Sequence, residues 1–214
     1  MKKLFTAIRQ FDNETVKQLL QKKPELIACT AKQPPKKDDG QSPLQVSLKC
    51  GNFEITDFLL SLNADVNFIE SEECCNNWRA PVIHDAINAA IMCSRWNTTS
   101  FGFKEHSTKE NAEKAFIQLQ KIIQLGANVN AKDSYGNSCI WRACLQASQI
   151  LPQYNYQDKI LSKERVITEA LKNDLSKIFE LLLKSGADLQ YIRPNVNANI
   201  LDFYKQQPVY KFLI

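Results

Sequence analysis

Apolar residues recur at helical spacing in three separate parts of the chain. Ile55, Phe58, Leu59 and Leu62 form the first stripe, Phe116, Leu119, Ile122 and Ile123 the second, and Leu175, Ile178, Phe179 and Leu182 the third. Steps of three and four residues put each set on one face of a helix, so each helix has one side to bury. All three runs end on nearly the same string: "FLLSLNADVN" at 58–67, "KIIQLGANVN" at 121–130 and "LLLKSGADLQ" at 181–190. Gly126 and Gly186 stand where a helix commonly stops in the left-handed conformation, and Asn63 takes that place in the first copy. The pattern predicts one helix exit written three times.

Ahead of the first exit lies "GQSPLQVSLKCGNFEI" (40–55). Ser42 suits an N-cap, Pro43 the first helical position, and Gln45 completes an S-x-x-Q capping box. A short helix to about Cys50 follows, and Gly51-Asn52 turns the chain into the next helix. The predicted unit is turn, short helix, tight turn, longer helix, left-handed stop. Asn13 is expected to cap a helix carrying Val16, Leu19 and Leu20.

These residues resemble the ankyrin repeat, whose signature is a turn, T-P-L-H-x-A, a Gly-centred turn and an L-L-x-x-G-A-D-V-N ending. "DGQSPLQVS", "CGNF" and "FLLSLNADVN" follow it closely, with Ser, Gln and Ser in the Thr, His and Ala places. In "PVIHDAI" (81–87) His84 and Ala86 match; in "DSYGNSCIWRAC" (133–144) Cys139 and Trp141 depart from it. The resemblance implies an all-α solenoid of stacked helix pairs. Its units would be a degenerate first repeat and loop (1–38), a full repeat (39–70), two repeats with inserts (78–130 and 131–190) and a closing repeat (191–214).

The spacing departs from the family. Ala64 to Ala127 is 63 residues and Ala127 to Ala187 is 60, against a period of about 33. The extra residues fall between the paired helices, at 94–111 and 148–174. They are expected to lengthen the helices, one starting from Ser107 or Thr108 and one running over about 163–185, with irregular loops at 96–106 and 152–161. The alternative is a second, unrecognisable repeat hidden in each interval.

Charge and cysteine add exclusions. A formal net charge of +4 is spread along the chain, and the small lysine cluster at 32–37 lacks the interleaved aromatics of a phosphate-binding surface, so no nucleic-acid partner is expected. "MKKLFTAIRQF" has too short an apolar run for an export signal, no stretch approaches a membrane span, and no membrane partner is expected. Seven cysteines at irregular spacing suit a reduced, cytoplasmic protein, with Cys29, Cys50, Cys139 and Cys144 as core thiols. The Asn97-Thr-Thr sequon is then incidental.

The search for chemistry finds little. His84 sits in the signature's histidine place, where the resemblance implies a bond to backbone between adjacent turns; His106 has nothing nearby in sequence to orient it. Cys93 stands nine residues from His84, about 13 Å along a helix, too far for a nucleophile–base pair. Cys74-Cys75 with His84 lacks zinc-ligand spacing. There is no phosphate loop, zinc-protease motif or nucleophile elbow, so no catalytic, cofactor or metal site is expected.

The resemblance implies a protein partner, met by the turn tips and the exposed side of the first helices. The positions implied are Asp38, Asp39 and Gln41 in the first full unit, Phe68, Glu72, Trp78 and Arg79 in the longer middle tip, and Ser134, Tyr135 and Asn137 in the third. Tyr, Trp and Arg are frequent interface anchors, although Trp78 is equally placed to pack under its own loop. Glu70 to Glu73 is expected to be a solvated turn, and Trp96, Phe101 and Phe103 to be buried. The expected role is a non-catalytic binder (adaptor, inhibitor or immunity-type neutraliser), monomeric rather than oligomeric. A metal-dependent or enzymatic protein using the inserts, and a self-assembling subunit, stand as alternatives.

Overall fold

The computed structural model describes all of residues 1–214. It is mostly helical. Helix α1 spans Lys2–Arg9, α2 Asn13–Lys22, α3 Pro43–Cys50, α4 Phe53–Ser61, α5 Val82–Met92, α6 Lys109–Gln124, α7 Cys139–Ser148, α8 Glu169–Lys184 and α9 Ile200–Tyr204. Three 3-10 turns lie at Pro24–Ala28, Lys36–Asp38 and Pro208–Phe212. Helices α1, α3, α5 and α7 pack successively against one another, and α2, α4, α6 and α8 form a second row against the first. Hydrophobic stripes from both rows close one continuous core, with Ile55, Ile87, Leu119, Trp141 and Phe179 fully buried.

The capping box forms: Ser42 Oγ accepts from the Gln45 amide, and the Gln45 side chain accepts from the Ser42 amide. The three exits have left-handed residues, Asn63 at φ 58°, Gly126 at 94° and Gly186 at 91°. What joins them is an asparagine four residues later. Asn67 Nδ2 donates to the Gly126 carbonyl (3.1 Å), and Asn67 Oδ1 accepts from the Asn128 amide (3.0 Å). Asn130 repeats the clamp on the Gly186 carbonyl and the Asp188 amide, both at 2.9 Å. Exits about sixty residues apart in sequence are therefore neighbours in space.

Several expectations need correction. Helix α2 is capped by Asp12, whose side chain accepts from the Thr15 amide; Asn13 is its first residue and instead accepts a bond from Asn52. Helix α6 begins as expected behind the Thr108 cap, but α8 begins at Glu169 behind Thr168 rather than near 163. The reason is that the backbone of 164–166 is occupied elsewhere. Asn97 exchanges side-chain bonds with both backbone groups of Val166, and the Glu164 carbonyl accepts from the Thr99 amide. Nor are the inserts irregular throughout. β1 (Asn97–Thr98) pairs with β2 (Lys104–Glu105), and β3 (Tyr154–Asn155) with β4 (Ile160–Leu161), both antiparallel. Arg95 fastens the first insert to α8: its backbone amide and Nε both donate to Asp174 Oδ2, and Nη2 donates to Oδ1 at 2.7 Å.

The aromatics of the first insert also differ from expectation. Phe101 is fully exposed and Phe103 largely so, because the hairpin tip carries them beyond the helices; only Trp96 is half-covered. His106 has an oriented setting after all, stacked on Trp96 at 4.1 Å and hydrogen-bonded to the Thr98 hydroxyl.

Candidate partner-binding surface

The signature's histidine position carries Gln45, His84 and Trp141 in the three units, and each does different work. Gln45 Nε2 donates to the Ala80 carbonyl (2.9 Å) and to Glu70 Oε1 (3.1 Å), reaching forward to the next turn. His84 Nε2 donates to the Ala131 carbonyl at 3.3 Å, the backbone link the resemblance implied. Burial depresses the ring to about 4, so it is neutral, with Nδ1 unprotonated 4.0 Å from Asp133 Oδ2. Trp141 abandons the polar link. It is fully buried against Phe203 and Tyr204, at centroid distances of 5.3 and 5.8 Å, and joins α7 to the closing helix α9.

Most of the implied tip residues turn out to build the tips. Asp38 is buried and bridged by Arg9 (2.8 Å) and Lys49 (3.0 Å). Asp39 is buried and accepts from the Cys75 amide (2.8 Å), which holds its carboxyl below the usual carboxylate range. Gln41 is buried between Glu70 and Lys49, and Asn137 is buried against Asp133. These four are corrections: their polar groups bond to groups of this chain beside or across the turn, Asp38 to Arg9 and Lys49, Asp39 to the Cys75 amide, Gln41 to Glu70 and Lys49 and Asn137 to Asp133, so they are buried within the tips. Glu70 is a fifth correction, since it is buried and accepts from the Ala80 amide at 2.7 Å as well as from Gln45.

The others lie together on the outer side of the tips. Tyr135 is 48% exposed, and its amide donates to Asp133 Oδ1. Glu72 is exposed and pairs with Arg79 at 3.1 Å. Ser134 is exposed, accepting from the Arg79 amide and donating to the Asn77 carbonyl. Phe68 is half-buried against the core. Trp78 is half-buried, its Nε1 donating to Asp133 Oδ2 at 2.9 Å and its ring covered by the Arg142 guanidinium at 4.8 Å. Cys74 and Cys75 face Asn76 and Lys36, whereas His84 faces Ala131, so the three do not converge.

Sequence reasoning missed the feature at the centre of this side. A cleft of about 290 Å³ opens between α3 and α5 beneath Trp78, walled by Cys50, Met92 and Cys93. Asp85 lines it, 4% exposed, and its Oδ2 has no partner. Burial, and then the nearby Glu70, push this carboxyl up to about 8, against the opposing pull of Lys49, Gln45 and Arg142. A signal existed: a lone acid inside the otherwise apolar "VIHDAINAAIM".

Among known families, the ankyrin-repeat model matches residues 39–70. Residues 39–70 are thus an ankyrin repeat. The match covers the unit of the capping box, α3, α4 and the first exit, and ankyrin repeats are protein–protein interaction modules. No curated protein matches the chain. No helix is long and apolar enough to cross a membrane.

Proposed function

We propose that the chain is a non-catalytic protein-binding module, a solenoid of five ankyrin-type layers of which the two middle ones carry inserts. The layers follow the divisions 1–38, 39–70, 78–130, 131–190 and 191–214. The observation that supports this division is the asparagine clamp, which couples each exit to the next with no helix exit between them. A partner would meet the side formed by the outer tips and the few accessible residues of α3, α5 and α7, among them Lys49 and Met92, with Tyr135, Glu72, Arg79 and Trp78 at its edge. That side is extended and shallow, which suits a macromolecule better than a small substrate. We place the protein in the cytoplasm as a monomeric adaptor, inhibitor or neutraliser.

The test is affinity capture from the native cell with the wild-type chain and with Tyr135→Ala and Glu72→Ala. Both side chains are exposed, and the one surface ion pair lost, Glu72 to Arg79, contributes little to stability, so the variants should fold normally. Loss of the same protein from both captures is the expected result. Undiminished capture by both variants would place the binding face elsewhere.

A further inference from the structure

Asp85 is an unusual residue to keep. A carboxyl this deeply buried normally has a cation or several donors facing it, because removing the charge from water is costly. Here the nearest cations and the Gln45 amide bond mainly to other groups. Lys49, from α3, spends its three donors on the Lys37 carbonyl (2.6 Å), Asp38 Oδ1 (3.0 Å) and Gln41 Oε1 (3.2 Å). Arg142, from α7, donates Nε to Asn88 Oδ1 (2.8 Å) and Nη2 to Gln146 Oε1 (3.1 Å) while stacking on Trp78. Gln45 Nε2 is taken by Glu70 and Ala80. Asp85 thus lines an open cleft whose walls are mainly apolar, with Lys49 and Asn88 among them, and its Oδ2 has no hydrogen-bond partner.

We infer that this cleft takes a lysine or arginine side chain from the protein partner, its methylene stem lying against Trp78 and Met92 and its cationic head on the Asp85 carboxylate. The inference rests on the protein-binding reading above and adds the chemistry of one anchor. Long basic side chains combine an apolar stem with a charged tip, which is the division this cleft presents. An apolar anchor such as leucine would cover Asp85 without satisfying it, leaving a buried polar group unpaired. A negatively charged anchor would meet Asp85 with Glu70 close behind.

Occupation by a cation has a proton signature. The groups facing Asp85 are Lys49 from α3, Glu70 from the segment after α4, and Arg142 from α7. Of the others at the cleft, the Cys50 and Cys93 thiols are pushed up by burial, and His84 is neutral above pH 6.5. Asp85 is therefore the group that changes charge around neutrality. It must lose its proton to pair with the incoming cation, so affinity should rise with pH up to about 8.

The experiment is a titration of the full chain, followed by the Trp78 indole and the α5 amide NMR signals, with three probes: Nα-acetyl-lysine methylamide, its arginine counterpart and the neutral norleucine counterpart. We expect the two basic probes to bind at least about tenfold more tightly than norleucine. Their affinity should rise about twentyfold from pH 6.5 to 8.5, because the ionised fraction of a group titrating near 8 rises by about that factor. Asp85→Asn, which keeps the shape of the protonated acid, should erase both effects. Norleucine binding as tightly as lysine, a flat pH response, or no saturable shift from any probe would each overturn the inference, and the wild-type measurements decide this even if the variant misfolds. With a captured partner in hand, binding lost in Tyr135→Ala but intact in Asp85→Asn would sink the anchor alone. Binding intact in both would sink the face as well.

Discussion

Removing the side chain of Asn67 should loosen one named junction and leave the next one untouched. Asn67→Ala deletes two bonds across the layers, to the Gly126 carbonyl and from the Asn128 amide. A neutral hydrogen bond contributes about 1 kcal/mol net, and these lie where water can replace them, so the expected loss is about 1 kcal/mol rather than 2. Asn130→Ala should cost the same, because its bonds to Gly186 and Asp188 have the same geometry. The two side chains clamp different exits but meet through Asn128, whose amide bonds Asn67 and whose side chain accepts from the Asn130 amide, so the double variant should depart from additivity by about 0.5 kcal/mol or more. Urea unfolding measures the stabilities, and amide exchange locates them. Asn67→Ala should deprotect the Asn128 amide and leave Asp188 protected; Asn130→Ala should do the reverse. An Asn128 amide that exchanges at the same rate in Asn67→Ala would refute the claim that exits about sixty residues apart are direct neighbours.

Other consequences can be checked in parallel. Gly40 sits at φ +82°, and an added Cβ would fall 2.5 Å from Cys74 Cβ, so Gly40→Ala should lose about 2–3 kcal/mol in urea unfolding. Gly126→Ala, at a similar φ but in open space, should lose only about 1 kcal/mol. Trp141→Ala should cost about 3–5 kcal/mol by opening the junction of α7 and α9, and increase exchange in 200–212 more than in 1–30. The pH dependence of stability carries two opposing slopes. The Asp85 carboxyl, raised in the fold to about 8, favours the folded state at low pH, and this is lost as pH rises from about 4 to about 8. The His84 ring, lowered to about 4, favours the folded state above about pH 6.5, and this is lost as pH falls towards 4. Relative to the wild type, Asp85→Asn should therefore gain stability steadily with pH, by up to about 1.4 kcal/mol per unit, between pH 4 and 8. A pH-independent difference between the two proteins would show that Asp85 is ionised normally in the fold.

How much of this was legible in the sequence depended on whether a signal was local. Caps, exits and apolar stripes are set within a few residues, and the Ser42–Gln45 box and the left-handed Asn63, Gly126 and Gly186 lie where the pattern put them. The register of α8 was not legible, because the segment after Ser162 has helix-forming residues but its backbone bonds to Asn97 and Thr99, more than sixty positions earlier. Tip polarity misled for a related reason. Asp38, Asp39, Gln41 and Asn137 have the composition of exposed turn residues, and it is their bonds to Arg9 and Lys49, to the next tip, and to Asp133 that leave them covered. The exposed Phe101 and Phe103 show the converse: apolarity argues for burial only where another element is close enough to provide it. Asp85 stood out as a charge on an apolar helix, but its lack of a partner follows from what Lys49, Gln45 and Arg142 bind instead.

The most direct test is hydrogen exchange of the full chain alone and with a captured partner. Binding through the tips and first helices predicts new protection at 78–79, 134–135 and along α3 and α5, with α4, α6 and α8 unchanged. Protection confined to α4, α6 and α8, or to the 97–105 hairpin, would contradict the account.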